Sequence, residues 1–228
     1  IAARYPQSLK VFERHGIDYC CGGHERLADA VARQNITLDR LVAELKDATS
    51  RPPQAGEAQR DWTTATVQEL IDHIVARHHT YLRAELPALD DIMAVVARVH
   101  GPAHGDVLRP LQGIFRVLKA EIEDHLRKEE EDLFPAIRRI GEGPASQDGK
   151  LRDLVEEVAG EHDRVGAALH EMRERTSDYA LPTDACPTFA RLYEGLNGLE
   201  KDVHQHIHLE NNILFPRVVE AVGKPEAR

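Results

Sequence analysis

The sequence predicts an all-α protein, an antiparallel four-helix bundle preceded by a small helical N-terminal domain. Three observations carry the prediction. Apolar residues recur at intervals of three and four rather than two, and nothing reads as a sheet. Gly and Pro divide the chain into segments of helical length. Four of those segments are long and joined by short breaks, as neighbours in an antiparallel bundle are.

Residues 1–50 hold short helices: one ending near His15-Gly16 with glycine as the stop, one around Arg26–Arg33, and one started by Thr37. A linker, 51–61, begins in the stretch Ser50-Arg51-Pro52-Pro53-Gln54-Ala55-Gly56. The bundle domain, 62–228, opens at Thr66-Val67-Gln68-Glu69, a capping box in which Thr66 accepts an amide hydrogen bond and Glu69 returns one. Its four helices are expected at about 66–100, 107–140, 150–177 and 187–222. The breaks between them are His100-Gly101-Pro102-Ala103-His104-Gly105, Gly141-Glu142-Gly143-Pro144, and Asp178 to Pro187. Pro87 removes a backbone donor inside the first helix and is expected to kink it.

Composition narrows the function. With 228 residues, 42% apolar and 30% charged, this is a soluble chain of one or two domains that can bury a core. No run of about 18 apolar residues occurs, and the opening IAARYPQSLK lacks the apolar stretch of a secretory signal, so a cytoplasmic protein and no membrane partner are expected. The first residue is Ile rather than Met, which suggests an N-terminus that has been trimmed or left out. The formal charge of −10, without a basic block, disfavours nucleic acid. Three cysteines, two of them adjacent, are not a secreted disulfide framework. Thirteen histidines stand beside five Phe, five Tyr and one Trp.

The strongest feature is an internal repeat. His125, Glu129, Leu133, Phe134 and Pro135 return as His206, Glu210, Leu214, Phe215 and Pro216, every equivalent 81 residues away. Both copies lie on the apolar stripe of their helix, Leu118, Ile122, His125, Glu129, Leu133 in one and Leu199, Val203, His206, Glu210, Leu214 in the other. A histidine and a carboxylate therefore replace hydrophobes at core positions twice, one turn apart on the same face. A buried carboxylate must be protonated, paired with a cation or bound to metal, and the stripes carry no cation.

If the second and fourth helices are repeats, the first and third should be too. His162 has Leu154, Val158, Val165 and Leu169 around it, and His79 has Ile71, Val75, Leu82 and Leu86 at the same offsets. His78 matches less well, although plain periodicity sets it nearer the stripe centre. The expected set is His79, His125, Glu129, His162, His206 and Glu210. Four imidazoles and two bridging carboxylates offer eight donor atoms to two ions and leave octahedral positions open for a shared oxo or hydroxo bridge and a small ligand. Nitrogen and oxygen ligation without thiolate suits iron or manganese better than structural zinc. The alternative is a core of hydrogen-bonded His–Glu pairs without metal.

At these residues the chain resembles the hemerythrin-like di-iron bundles, over roughly 62–222. With Asp18-Tyr19-Cys20-Cys21-Gly22-Gly23 at its front, the whole chain resembles the repair-of-iron-centres family, the iron–sulfur cluster repair di-iron proteins. The resemblance implies two non-haem iron ions, oxo- or hydroxo-bridged, and restoration of iron–sulfur clusters damaged by nitric oxide or oxidative stress, with iron donation as the chemistry. It also implies nitric oxide as a small ligand and damaged iron–sulfur proteins as partners; the electron donor and a homodimer are left open. The rival readings are a di-iron nitric oxide reductase and a protein that only binds nitric oxide or oxygen. The chain departs from oxygen-carrying hemerythrin, which has a fifth histidine and ends in His-x4-Asp. Here Val158 and Gly166 flank His162 and the last motif is His206-x3-Glu210, which implies a more symmetric centre. Ferritin-like sites are disfavoured because no histidine has a Glu three residues before it.

Other residues have weaker claims. Cys20 and Cys21 precede two glycines, in a turn where exposed thiols could serve redox or iron transfer near the bundle. Glu121 and Glu161 are candidates to line access or orient a ligand, against a surface role. Cys186 is read as incidental, and His100 and His104 as loop residues with transient metal binding as the minor alternative. His204, His208, Glu130, Glu131 and Asp132 are expected to be solvated, and the Leu-Phe-Pro triplets to pack and end helices.

Overall fold

The computed structural model describes residues 1–20, 26–34, 36–50, 60–140 and 146–223. A 3-10 turn, Pro6–Ser8, leads into α1 (Leu9–Arg14), followed by α2 (Leu27–Arg33) and α3 (Leu38–Ser50). Helix α1 stops where expected. Gly16 takes φ +61°, Gly16 N–H donates to Glu13 O at 3.2 Å and Ile17 N–H donates to Phe12 O at 2.9 Å, the pair of bonds that closes a helix through a left-handed glycine. Leu9, Val11, Phe12, Ile17, Val31 and Leu41 are buried in one apolar cluster with Val203 and Ile207 of the bundle, so the N-terminal helices pack onto the bundle. The expected linker and the Gly141 to Pro144 break fall mostly outside the described residues.

The bundle has four rods. The first is α4 (Val67–His73), a π-helical turn Ile74–His79, and the start of α5 (Thr80–Lys128). Thr66 caps it as predicted: Glu69 N–H donates to Thr66 Oγ1 at 3.2 Å, and Thr66 N–H donates to Glu69 Oε2 at 2.9 Å. The second is the remainder of α5, a π-helical turn Glu129–Leu133 and α6 (Phe134–Arg138). The third is α7 (Ser146–Arg175), and the fourth is α8 (Pro187–Leu209), a π-helical turn Glu210–Leu214 and α9 (Phe215–Ala221). Contacts show the direction of each pair. Asp72 meets Arg138, Arg83 meets Glu130 and Asp90 meets Arg116, so the first two rods are antiparallel. Arg152 meets Val219, His162 meets Asn211 and Arg173 meets Glu200, so the last two are antiparallel as well.

One expectation at the helix breaks is corrected. The stretch from His100 to Gly105 is not a loop: helical dihedrals run to its far side, and the chain reverses at His104 alone, with φ −125° and ψ 23°. Pro102 lies two residues before this reversal, so the donor it lacks is lost at the end of the first rod and not in its middle. Pro87 leaves the dihedrals of α5 helical. The third break turns through Ser177, Asp178 and Tyr179, all left-handed with φ of 50°, 64° and 57°. Such residues cost about 1–2 kcal/mol each. The turn is held by buried Glu200, which accepts from Tyr179 Oη at 2.9 Å and from Arg173 Nε at 2.8 Å. No strand occurs among the described residues, and no helix there is long and apolar enough to cross a membrane.

Candidate metal centre

Three of the four rods break their α-helical register where the His/Glu residues lie. His79 closes the π-helical turn of the first rod, and Glu129 and Glu210 each open one. A π turn accommodates an extra residue, which rotates the next stretch of helix against the α-helical period. In the first rod this reconciles two demands: Leu70, Ile71 and Ile74 stay in the core up to the start of the turn, and His79 together with Leu82 and Leu86 faces the core from its end onward. His78 is buried as well, but its Nδ1 pairs with Asp202 Oδ2 at 3.1 Å and its ring stacks on His206 at 5.6 Å, one layer behind the cluster.

The six residues His79, His125, Glu129, His162, His206 and Glu210 are all buried and converge. One group comprises His79, Glu129, His206 and Glu210; a second comprises His125, Glu129, His162 and Glu210; within each, one donor atom per residue lies within 4.8 Å of all the others. Both glutamates belong to both groups. Glu129 Oε2 stands 3.3 Å from His79 Nε2, 3.4 Å from His125 Nε2 and 3.7 Å from His206 Nε2. Glu210 stands 3.2 Å from His162 Nε2 and 3.1 Å from His206 Nε2.

These are not hydrogen-bonded His–Glu pairs. All four carboxylate oxygens of Glu129 and Glu210 are buried without a partner in hydrogen-bond geometry. The imidazoles explain why. His79 Nδ1 faces Glu130 Oε1 at 2.7 Å, His125 Nδ1 faces Glu161 Oε2 at 2.9 Å, and His162 Nδ1 faces Asn211 Oδ1 at 2.8 Å. In the neutral ring each of these acceptors draws the single proton to Nδ1, the tautomer whose Nε2 lone pair can ligate a metal. His125 Nε2 and His162 Nε2 then confront each other at 3.2 Å, and His79 Nε2 faces His206 Nε2 at 3.3 Å. Lone pairs and bare carboxylate oxygens around one centre are a repulsive arrangement that cations relieve, so the residues fit a metal centre.

Without an ion, the carboxylates draw protons onto two of these rings instead, and a bound metal would release them. Burial holds His206 well below the usual imidazole range. Burial also opposes charge on His125, but Glu129 and Glu161 outweigh it and push the ring up to about 9. His79 is likewise pushed up against its burial by Glu129 and Glu130. Glu161 is held down at about 2 by His125 and then Lys128.

Other expected residues are sorted by the same contacts. Glu161 touches His125, whereas Glu121 is half-buried with no hydrogen bond or ion pair to the cluster among the described residues. Glu130, expected to be solvated, is instead only 28% exposed and bridges His79 to Arg83; Glu131 and Asp132 are exposed. Sequence reasoning missed Glu130 and Asn211 as partners of His79 and His162. The repeat held the signal, since Glu130 and Asn211 are themselves 81 residues apart, each directly after its copy's glutamate. His204 and His208 are also corrected. The N-terminal domain covers them: Tyr19 meets the His204 ring edge-on at 6.3 Å and the His208 ring at 5.6 Å, and His208 is buried.

Cys20 is buried rather than exposed, its thiol 3.3 Å from Asp18 Oδ1; Cys21 lies outside the described residues. The Cys20 carbonyl accepts from Asn211 Nδ2 at 3.4 Å, so one side chain links the cysteine segment to His162. Cys186, read as incidental, has its Sγ 3.2 Å from His100 Nε2.

A helical bundle whose core carries four imidazoles and two shared carboxylates is a cation-binding bundle of the hemerythrin class. Residues 70–218 match the hemerythrin HHE cation binding domain, and residues 1–49 match a domain of unknown function, DUF542. Over 219 residues the chain is 35% identical to the iron-sulfur cluster repair protein ScdA of Staphylococcus epidermidis, covering 96% of this chain and 95% of that protein. It is 36% identical over 219 residues to the iron-sulfur cluster repair protein YtfE of Escherichia coli, covering 96% and 94%. The chain belongs to the iron–sulfur cluster repair family with a hemerythrin-like domain.

Proposed function

We propose that the protein restores damaged iron–sulfur clusters by donating iron from a centre of two ions bridged by Glu129 and Glu210, one carrying His79 and His206 and the other His125 and His162. The expected oxo or hydroxo bridge is part of that proposal. The observation that carries it is the pair of buried glutamates, each shared between two histidine groups and each without a hydrogen-bond partner. The names of the relatives support the client class, damaged iron–sulfur proteins. When bound, iron would supply redox chemistry and open coordination positions.

The protein's own residues set how tightly it is held. Glu130, Glu161 and Asn211 keep three Nε2 atoms aimed inward, and His78 backs His206 by stacking. Two histidines and two shared carboxylates per ion are fewer donors than an octahedral ion takes, and this suits release and the entry of a small ligand such as nitric oxide. Cys20 and Cys21 are proposed as the transfer or redox pair, supported by the Asn211 link between the Cys20 carbonyl and His162.

The test loads the protein with iron, counts the ions by metal analysis and Mössbauer spectroscopy, and asks whether it reactivates an iron–sulfur enzyme inactivated by nitric oxide. Two irons per chain and reactivation are expected, with both lost in a Glu129→Leu, Glu210→Leu variant. One zinc per chain and no iron would overturn the centre. Sustained formation of nitrous oxide without reactivation would select a reductase, and reversible uptake of nitric oxide alone a binder.

A further inference from the structure

The corner between the first two rods carries a second group of ligating side chains. His104, the residue at which the chain reverses, places Nε2 at 2.9 and 3.1 Å from the two carboxylate oxygens of Asp184. One turn earlier, His100 brings Nε2 to 3.2 Å from Cys186 Sγ. One donor atom from each of His100, His104 and Asp184 lies within 4.8 Å of the others; Cys186 Sγ lies beside His100 alone, and turning about its Cα–Cβ bond would bring it in as a fourth donor. Both rings are braced by Phe189, with centroids 5.1 Å from His100 and 5.9 Å from His104.

A surface ion pair accounts for His104 and Asp184, but not for the inward turn of His100 onto a sulfur. The thiolate form of Cys186 is favoured by the backbone N–H groups of Phe189 and Thr188 at the start of α8 and by His100. Adjacent donors around a tetrahedral ion with nitrogen ligands stand about 3.3 Å apart, close to the 2.9 Å of the His104–Asp184 pair and the 3.2 Å of the His100–Cys186 pair. Two imidazoles, a carboxylate and a thiolate form a mixed set that suits zinc and similar ions.

We propose that His100, His104, Asp184 and Cys186 form a mononuclear site for a divalent transition ion of the zinc type, tying the helix corner to the segment that enters α8. The site is independent of the His/Glu centre. His100 lies about 30 Å along the first rod from His79, at 1.5 Å per residue.

The test titrates Co2+ into the protein with its bundle already loaded with iron. One additional ion per chain is expected, with tetrahedral d–d absorption and a thiolate-to-cobalt charge-transfer band, and with displacement by Zn2+. His104→Ala, and separately the milder Asp184→Asn, should weaken Co2+ binding by more than about tenfold while the iron content stays unchanged. Cys186→Ser should keep the ion and lose the charge-transfer band. No additional ion, binding indifferent to both His104→Ala and Asp184→Asn, or a charge-transfer band that survives Cys186→Ser would each overturn the four-ligand site.

Discussion

At the His/Glu centre, single side chains decide orientation. The two halves of the repeat solve the same problem with different groups: His162 is aimed by the neutral amide of Asn211, and its counterpart His79 by the carboxylate of Glu130, as His125 is by that of Glu161. A neutral acceptor therefore suffices. Glu161→Ala should lower iron affinity by about tenfold or more, as loss of a ligand's orienting partner does, whereas Glu161→Gln should retain most of it. Equal iron affinity in the two variants and the parent, measured by chelator competition, would remove Glu161 from this role. A separate residue gives a pH signal. His73 stacks on Trp62 with centroids 4.0 Å apart, and burial, then the charge of His78, holds it down at about 4. Its neutral form is the one the fold favours, so its contribution to stability is complete above about 6.5 and is lost as pH falls through about 4. Trp62 is the single tryptophan, so its fluorescence should be quenched with a midpoint near 4, and His73→Phe should abolish that transition.

Within a rod, the π turn is the device that matters. Apolar packing before Ile74 and ligand placement after it are incompatible with one uninterrupted α-helix, and the turn Ile74–His79 separates them. Ala76 is exposed within this turn, so its deletion removes the extra residue without removing a core side chain. Either Leu70, Ile71 and Ile74 must then leave their core or His79 must leave the cluster. The deletion variant should melt at a lower temperature or bind about half the iron. Unchanged melting together with full iron content would show that the turn does not set the register. The corner at His104 reflects a related economy of chain: helix on both sides needs only one residue outside helical dihedrals to reverse direction.

For the whole molecule, metal binding and stability of the metal-free chain pull in opposite directions. Glu129 and Glu210 are fully buried and without a hydrogen-bond partner, so the ion-free fold bears much of their desolvation while the loaded fold is stabilised by whatever binds only the folded state. Chelating the iron should lower the melting temperature of the parent protein. The Glu129→Leu, Glu210→Leu variant should melt above the ion-free parent, by an amount corresponding to about 1–4 kcal/mol, and should not respond to the chelator. A variant less stable than the ion-free parent would mean that the carboxylates support the fold by themselves.

Much of this was legible in the amino-acid order, because its causes are local or periodic. Thr66 and Glu69 announce their helix through a bond pattern three residues long, Gly16 ends another through a conformation other residues resist, and the His/Glu repeat exposes itself through its constant 81-residue offset. Packing between distant segments leaves no such trace. The burial of His208 comes from Tyr19 resting on it, the choice of His79 over His78 from a π turn that stripe periodicity does not contain, and the meeting of His100 with Cys186 from a reversal at one residue. Local bonding and helical spacing thus set which residues are helical and which polar groups enter the core. The register of each rod, and therefore which atoms face one another, was settled by how the rods and the N-terminal helices compete for the same buried space.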